Sequence, residues 1–531
     1  FPSFSDTRDV DLFAWFLRDE ATALAHGSLP ALVSTAMNAP HGISLLWNTS
    51  LLLPGIVLSP VTLLAGPQTS LTLLLTLGFA GSATSLFLVL RQWGASLVAA
   101  ALGGAMYGFS PALLDAGLGH YHIQFAVLPP LIIHMLLRLV TGRGRPVRNG
   151  VWLGVLAAAQ LFTGEELLVD TIVAAVVIVV VVAAGHLRAV RVQVKGTFIG
   201  LATAAVVALV LCGYALWEQL RGPLRQHGSP WPTSAFYARP AVLITPPLSL
   251  LFHTSASAAT AAHNYATSLA EYLGYVGLPL FVVLVAAAIV YWRDPKIRAV
   301  AVTCAVLEIF TLGGNAAYLP WHYLQQLPVL GQLLPGRLAV PADAAAAAVL
   351  AFSFDRVRAS APRLSDWRAR LATGVAVLAL LPLVPLPYRA DKITPVPAGW
   401  QTAFGRLHLA ADAPVLVVPV PYQKNTDALR WQAQTRAPGS LIEGYFIGPN
   451  RSGHAEEYGI GLPNTARTMD EIWAGERKPA PSPVRLRATF AAWRPAAVVA
   501  VASPGSRIGR ILIGILGPPD FRAGRVMAWR R

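Results

Sequence analysis

Apolar stretches recur along this chain near residues 70–90, 95–110, 122–140, 150–163, 167–185, 197–217, 274–292, 297–313, 337–354 and 371–388. A helix needs roughly 17–25 apolar residues to cross the hydrocarbon of a bilayer. Inside that layer every backbone N–H and C=O must be satisfied within the segment, which leaves helices as the solution for runs of this length. The repetition predicts an α-helical polytopic membrane protein with about 10–11 crossings. Composition agrees. Hydrophobic residues make up 55% of the 531 and charged ones 13%, against about 25% charged in a soluble chain. The stretch 51–66 is also apolar, but Pro54, Gly55 and Pro60 interrupt it. It reads as re-entrant or interfacial.

Arginine sets the expected orientation. Cytoplasmic loops carry an excess of basic residues. The loops holding Arg143, Arg145 and Arg148, then Arg188, Arg191 and Lys195, then Arg293, Lys296 and Arg298, then Arg356, Arg358, Arg363, Arg368 and Arg370 are assigned to the cytoplasm. Alternating the crossings from there puts 1–69, 110–121, 163–166, 218–273, 314–336 and everything after 388 outside. The formal charge of +15 is thus accounted for by loops. The arginines form no single basic stripe, so nucleic acid is not an expected partner.

After 388 the pattern changes. Strand-length apolar runs such as 415–420 and 496–501 alternate with Gly- and Pro-rich polar segments, and 507–512 fits a short helix. The expected organisation is a first extracytoplasmic loop with interfacial or re-entrant helices (1–69), a transmembrane domain (70–388) and a small extracytoplasmic α/β domain (389–531).

Against this background a few polar residues stand out, because a charge beside or within the bilayer is costly unless it faces water, a partner or a substrate. Asp9 and Asp11 open the chain. A carboxylate at the membrane surface can take a proton from an acceptor hydroxyl; an acid at a helix start also serves as a simple cap. His120 and His122 flank Tyr121 on an outer turn, where an i, i+2 pair in extended chain points to opposite sides. They suit polar contact with a substrate, or headgroup-level anchoring. A metal site would need further ligands. Glu165 and Glu166 are adjacent acids in a hairpin between apolar runs, either a solvated turn or a functional pair, and Asp170 lies one turn further in. Glu271 is the last charge before a span. Arg225 and Arg337 are outer-side exceptions to the arginine pattern. Each can hold a phosphate through two donors, or snorkel to lipid headgroups.

Other signals are weak or point elsewhere. Cys212 and Cys304 lie in apolar spans and imply no disulfide framework. Asn48-Thr49-Ser50 has the form of a glycosylation acceptor but sits against an apolar stretch. Only Lys195, Lys296, Lys392, Lys424 and Lys478 are lysines among 41 basic residues, which suggests a GC-rich bacterial genome. No P-loop, dinucleotide fingerprint, nucleophile elbow or zinc spacing is present, so ATP-driven transport has no support here.

The segment from Asp9 to Trp15, Pro40-His41-Gly42 followed by Leu46-Trp47-Asn48, and Tyr107-Gly108-Phe109-Ser110-Pro111 leading to Gly119-His120 come in a distinctive order. Gly164-Glu165-Glu166, Tyr272-Leu273-Gly274, Trp431-Gln432-Ala433 and Gly444-Tyr445-Phe446-Ile447 continue it. Over its whole length the chain resembles GT-C type membrane glycosyltransferases, most closely a large actinobacterial group. The resemblance implies a polyprenyl-phosphate sugar as donor and a glycan or lipid of the cell envelope as acceptor. It implies a plasma-membrane enzyme whose active face is extracytoplasmic. It also implies a catalytic aspartate in the first outer loop, after a first membrane helix. Asp9 matches that aspartate by its offset to Trp15, with Asp11 second, and the first helix is expected upstream of Phe1. His120, His122, Glu165, Glu166, Arg225, Glu271 and Arg337 are then candidate substrate contacts. No cofactor is required, and a divalent metal is compatible with the chemistry. The rival readings are a transporter or flippase for a lipid-linked glycan, which predicts charges and broken helices at mid-bilayer, and a non-catalytic envelope-assembly protein.

Overall fold

A computed structural model describes residues 7–185, 187–233, 236–264, 271, 273–360, 367–388, 393–435, 437–458 and 464–531. Residues 1–6 of the expected outer loop, Tyr272 and Arg363 lie outside the described residues.

Among the described residues, five helices are long and apolar enough to cross a membrane: Pro67–Gln92, Leu97–Ala116, Glu165–Gly185, Arg191–Arg221 and Pro335–Ala359. The helices Leu52–Ala65, Leu128–Val140, Leu278–Val290 and Arg370–Leu383 are apolar but shorter. Proline explains part of the shortfall against ten or eleven. Pro129 and Pro130 open the helix Leu128–Val140, and Pro279 opens Leu278–Val290. A proline has no N–H and pushes the preceding residue out of helical geometry, so it starts a helix rather than continuing one. The apolar run that begins at 274 therefore enters regular helix only at 278, and the run that begins at 122 resumes helix at 128 after the short helix Tyr121–Gln124.

The chain divides into two units. The first comprises Thr72–Tyr214 and Trp231–Ala390. The helix Ala339–Ala359 lies at its centre, with Ala345 to Phe354 all buried. Its alanine run lets backbones approach, as small residues do in membrane bundles. At Gly103 a Cβ would come within 3.0 Å of the Ala347 carbonyl oxygen.

The second unit comprises Thr7–Leu71, Ala215–Pro230 and Asp391–Arg531. Its helix Thr7–Ala25 packs on Leu52–Ala65 and on Asp427–Thr435. The stretch 51–66 is not broken by its prolines. Pro54 falls in the first turn, where an N–H has no intrahelical partner anyway, and Pro60 is carried inside the helix.

The C-terminal segment forms the α/β structure expected from its short apolar runs. A five-stranded sheet has the order Ser440–Leu441, Pro414–Val418, Ala497–Val501, Val526–Arg530, Phe521–Ala523. The first three strands are parallel and the last two antiparallel. Pro414–Val418 and Ala497–Val501 are buried along nearly their whole length, which is why they read as unbroken apolar runs rather than alternating ones. The helix Arg507–Leu516 is capped by Ser506, whose hydroxyl accepts from the Gly509 N–H. Residues 36–39 lie along the sheet edge: Leu441 N–H donates to Ala36 O at 2.9 Å, and Ala39 N–H to Leu441 O at 3.0 Å. The Asn48 side chain holds Ile447 through both backbone groups, donating to its carbonyl at 2.9 Å and accepting from its N–H at 2.7 Å. Asn48 is thus occupied as a buried strand-edge partner.

Candidate functional site

The helix Thr7–Ala25 separates the roles of its two leading acids. Asp11, Trp15 and Arg18 follow a spacing of four and three, which aligns them on one face. Each meets the segment 426–433. Trp15 Nε1 donates to Gln432 Oε1 at 2.8 Å, and Arg18 Nε to Ala433 O at 2.8 Å. Asp11 is 3% exposed. It accepts from Thr426 Oγ1 at 2.6 Å and from Arg430 Nη1 at 2.8 and 3.1 Å. Arg430 also pairs with Asp427 and donates to Thr394 O at 3.3 Å. Burial pushes the Asp11 carboxyl up to about 6, against the opposing pull of Arg430 and Thr426.

Asp9 precedes Asp11 by two residues, about 200° around the helix, and so leaves that face. It is half-buried, and its Oδ1 accepts from the Tyr445 hydroxyl at 2.8 Å. Asp11 is committed to an ion pair with Arg430.

Two further acids on this helix escaped the sequence reading. Burial pushes Asp19 up to about 6. Glu20 is fully buried, and its carboxyl is driven well above the usual range by that burial. Gly55 makes room for it, since a Cβ there would overlap Glu20 Oε2.

In the first unit, four of the expected substrate-contact residues converge. Arg337 sits in the turn Pro335–Leu338 that opens the buried helix Ala339–Ala359. Its Nε donates to Glu271 Oε2 at 3.2 Å and its Nη2 to Glu271 Oε1 at 2.5 Å, a bidentate pair. Its Nη1 pairs with Glu166, in the first turn of Glu165–Gly185. His120 Nδ1 lies 3.4 Å from Glu271 Oε1. The fully buried Asp170 feels the same arginine charge from one turn below. Two carboxylates thus hold this guanidinium, so a lipid phosphate would have to compete with both.

The His120–His122 segment is not extended. Tyr121–Gln124 forms a short helix that brings the two rings edge to face, 5.9 Å apart. Burial, then the charges of Arg337 and His120, push the His122 imidazole well below the usual range. Gly164 lets the next turn close over it: a Cβ there would lie 2.8 Å from the His122 carbonyl oxygen. Glu165 shares the first turn with Glu166 and is half-buried; adjacent helical positions diverge by about 100°. Arg225 is exposed and belongs to the second unit. Among the described residues, no group of three or more His, Cys, Asp or Glu is arranged to hold a metal ion.

No protein-family model matches the chain, and no curated protein matches its sequence. Solved structures do match. The chain is similar to the archaeal oligosaccharyltransferase AglB from Archaeoglobus fulgidus, in complex with an inhibitory peptide and a dolichol-phosphate. The TM-score is 0.50 and the identity 11%, over 92% of this chain and 65% of that one. It is also similar to the arabinofuranosyltransferase AftD from Mycobacteria, with a TM-score of 0.52 and 17% identity, over 97% of this chain and 36% of that one. The fold is GT-C-like. This chain spans less than two thirds of either protein's length.

Proposed function

We propose that this chain is a multi-pass plasma-membrane glycosyltransferase that moves a sugar from a polyprenyl-phosphate donor to a glycan or lipid acceptor of the cell envelope, on the extracytoplasmic face. The observation that carries this reading is the GT-C-like fold, shared over 92% and 97% of the chain with two transferases, one of them bound to a dolichol-phosphate.

Asp9 is the base. It takes the proton of the acceptor hydroxyl as that oxygen bonds to the anomeric carbon. The bond from that carbon to the phosphate oxygen breaks on the opposite side, and polyprenyl phosphate leaves with the electron pair. Configuration inverts. The leaving group is already a phosphate ester, so the step needs no nucleotide, and no step is assigned to a metal. The Tyr445 hydroxyl orients the Asp9 carboxylate. Asp11 is the second candidate, after Asp9 with its offset to Trp15, and its oxygens accept from Thr426 and Arg430. The cluster of Arg337, Glu166, Glu271 and His120 carries excess negative charge and suits hydrogen bonding to sugar hydroxyls, with His122 and Glu165 beside it. Arg337 or the exposed Arg225 is the candidate for the lipid phosphate, and 389–531 binds the acceptor glycan.

A transporter would place its charges at mid-helix. Here Glu166 and Asp170 lie in the first two turns of Glu165–Gly185, Asp343 near the start of Ala339–Ala359, and Glu308 in the last turn of Pro295–Thr311. All lie away from the arginine-bearing ends, which favours chemistry at one surface.

The test is transfer from labelled polyprenyl-phosphate sugars in proteoliposomes. Removing a general base costs about 10²–10⁴-fold, and Asp9→Asn is expected in that range with Tyr445→Phe less affected. Full transfer by Asp9→Asn sinks the base assignment. No transfer by the unaltered protein, with scrambling of the lipid present, replaces this reading with a flippase.

A further inference from the structure

At the arginine-bearing end of the first unit lies a cavity of about 420 Å³, and none of the residues assigned above lines it. Arg138 and Arg143 line it from the helix Leu128–Val140 and the turn that follows, and Lys296 from the start of Pro295–Thr311. Among the described residues no carboxylate lines it. The nearby Asp294 is engaged by Arg356 and by the N–H groups of Lys296 and Ile297.

The Lys296 side chain and the backbone of Arg143 are held in place. Lys296 Nζ donates to Trp93 O at 2.7 Å and lies 5.7 Å from the Phe352 ring centre, which leaves two of its three N–H donors for a ligand. The Arg143 N–H donates to Arg138 O at 2.8 Å, and Asn149 Nδ2 to Arg143 O at 2.7 Å. Arg138 Nε is buried with no hydrogen-bond partner among the described residues. Gly144 brings backbone against that guanidinium, since a Cβ there would lie 2.8 Å from Nη2. Trp93 Nε1 donates to His134 Nδ1 at 3.0 Å. An indole N–H is a donor only, so the neutral imidazole carries its hydrogen on Nε2.

The rest of the lining is hydrocarbon. Ile178 and Val182 come from the span-length helix Glu165–Gly185, with Leu137 and Val300 beside them. A free anion would be satisfied by the cations and would gain nothing from these walls. An acyl chain would gain from the walls and nothing from the cations.

We propose that this cavity binds the phosphate headgroup and first acyl carbons of an anionic glycerophospholipid. Arg138 and Arg143 grip the phosphate oxygens as guanidinium forks do, Lys296 supplies a third positive charge, and the acyl chain runs along Ile178 and Val182. Basic pockets between membrane helices take lipid headgroups in this way. Under the arginine-based orientation the leaflet is the cytoplasmic one. The site does not depend on sugar transfer.

The test uses the full chain in nanodiscs of phosphatidylcholine with a minor fraction of phosphatidylglycerol, with bound lipid read by native mass spectrometry. From the usual worth of one basic residue near a membrane surface, each cation lost weakens retention about fivefold, and Arg138→Gln with Arg143→Gln about 25-fold. Arg145→Gln with Arg148→Gln, from the same region but outside the cavity, changes it less than twofold. Millimolar inorganic phosphate leaves the lipid bound. Equal losses in both pairs, displacement by inorganic phosphate, or equal retention of phosphatidylcholine each overturn the proposal. If the first pair melts early in pure phosphatidylcholine, the exposed Arg143→Gln alone is read, and a loss under twofold overturns the proposal.

Discussion

Replacing Asp11 by Asn is expected to stabilise the second unit at neutral pH, although it deletes a buried ion pair. Asp11 has Arg430 and Thr426 as partners, yet its carboxyl titrates at about 6 rather than the ordinary 3.8. Loss of water outweighs the partners, a known outcome for buried pairs. A carboxyl whose pKa rises on folding holds its proton more tightly in the folded chain. This group therefore favours the folded state most fully below pH 3.8, and that advantage is lost as pH climbs to 6. The difference amounts to about 3 kcal/mol above pH 7. Asn keeps the shape and the Thr426 contact without the charge, while Arg430 retains Asp427. Hydrogen exchange of the helix Thr7–Ala25, corrected for intrinsic rates, measures its opening free energy against pH. Asp11→Asn should match or exceed the unaltered protein at pH 7.5, by up to about 3 kcal/mol. The difference between the two proteins should shrink as pH falls from 6 to 4. Asp19 titrates in the same window but is common to both, so it cancels. A loss of more than about 1 kcal/mol at pH 7.5, the scale of an ordinary net hydrogen bond, refutes the reasoning.

Other perturbations follow from the same packing. Gly55→Ala forces a methyl onto the buried Glu20 carboxylate and should cost about 1–3 kcal/mol; Glu20→Ala in the same chain should restore part of it, as read by thermal unfolding in detergent. Arg337→Met strands Glu166 and Glu271, and removing one partner of a buried ion pair costs about 3–5 kcal/mol. Arg337→Lys keeps the charge but loses the bidentate geometry, and its melting temperature should fall between those of Met and Arg.

Much of this was legible because membranes penalise stray charge. His120, Glu166, Glu271 and Arg337 each stood out as polar residues beside apolar runs, and the structure brings these four together. Their pairing was not legible. Arg337 is separated from Glu166 by 171 positions and from Glu271 by 66, and nothing periodic links them. The same blindness hid Arg430 and Tyr445 behind Asp11 and Asp9. The His120–His122 spacing misled because period-two reasoning assumes extended chain, and a four-residue helix reset it. Pro54 and Pro60 misled in the opposite sense, since proline's effect depends on its position within a turn rather than its presence. Glu20 went unnoticed because an amphipathic-looking helix gives no sign of which acid lies beneath a glycine.

The joining of residues 36–48 and the helix Thr7–Ala25 to the segment 426–447 has a consequence for biosynthesis. Asp11 waits for Thr426, 415 residues later. At about 5–20 residues per second a ribosome needs roughly 20–80 s to supply it. During that interval Trp15, Arg18 and Asn48 have none of the C-terminal partners they hold in the finished protein, and a long-range closure of this kind is slow and exposed to mispairing. The helix Thr7–Ala25 and residues 36–48 are therefore natural clients for a holding factor, released when the segment 426–447 arrives to complete them.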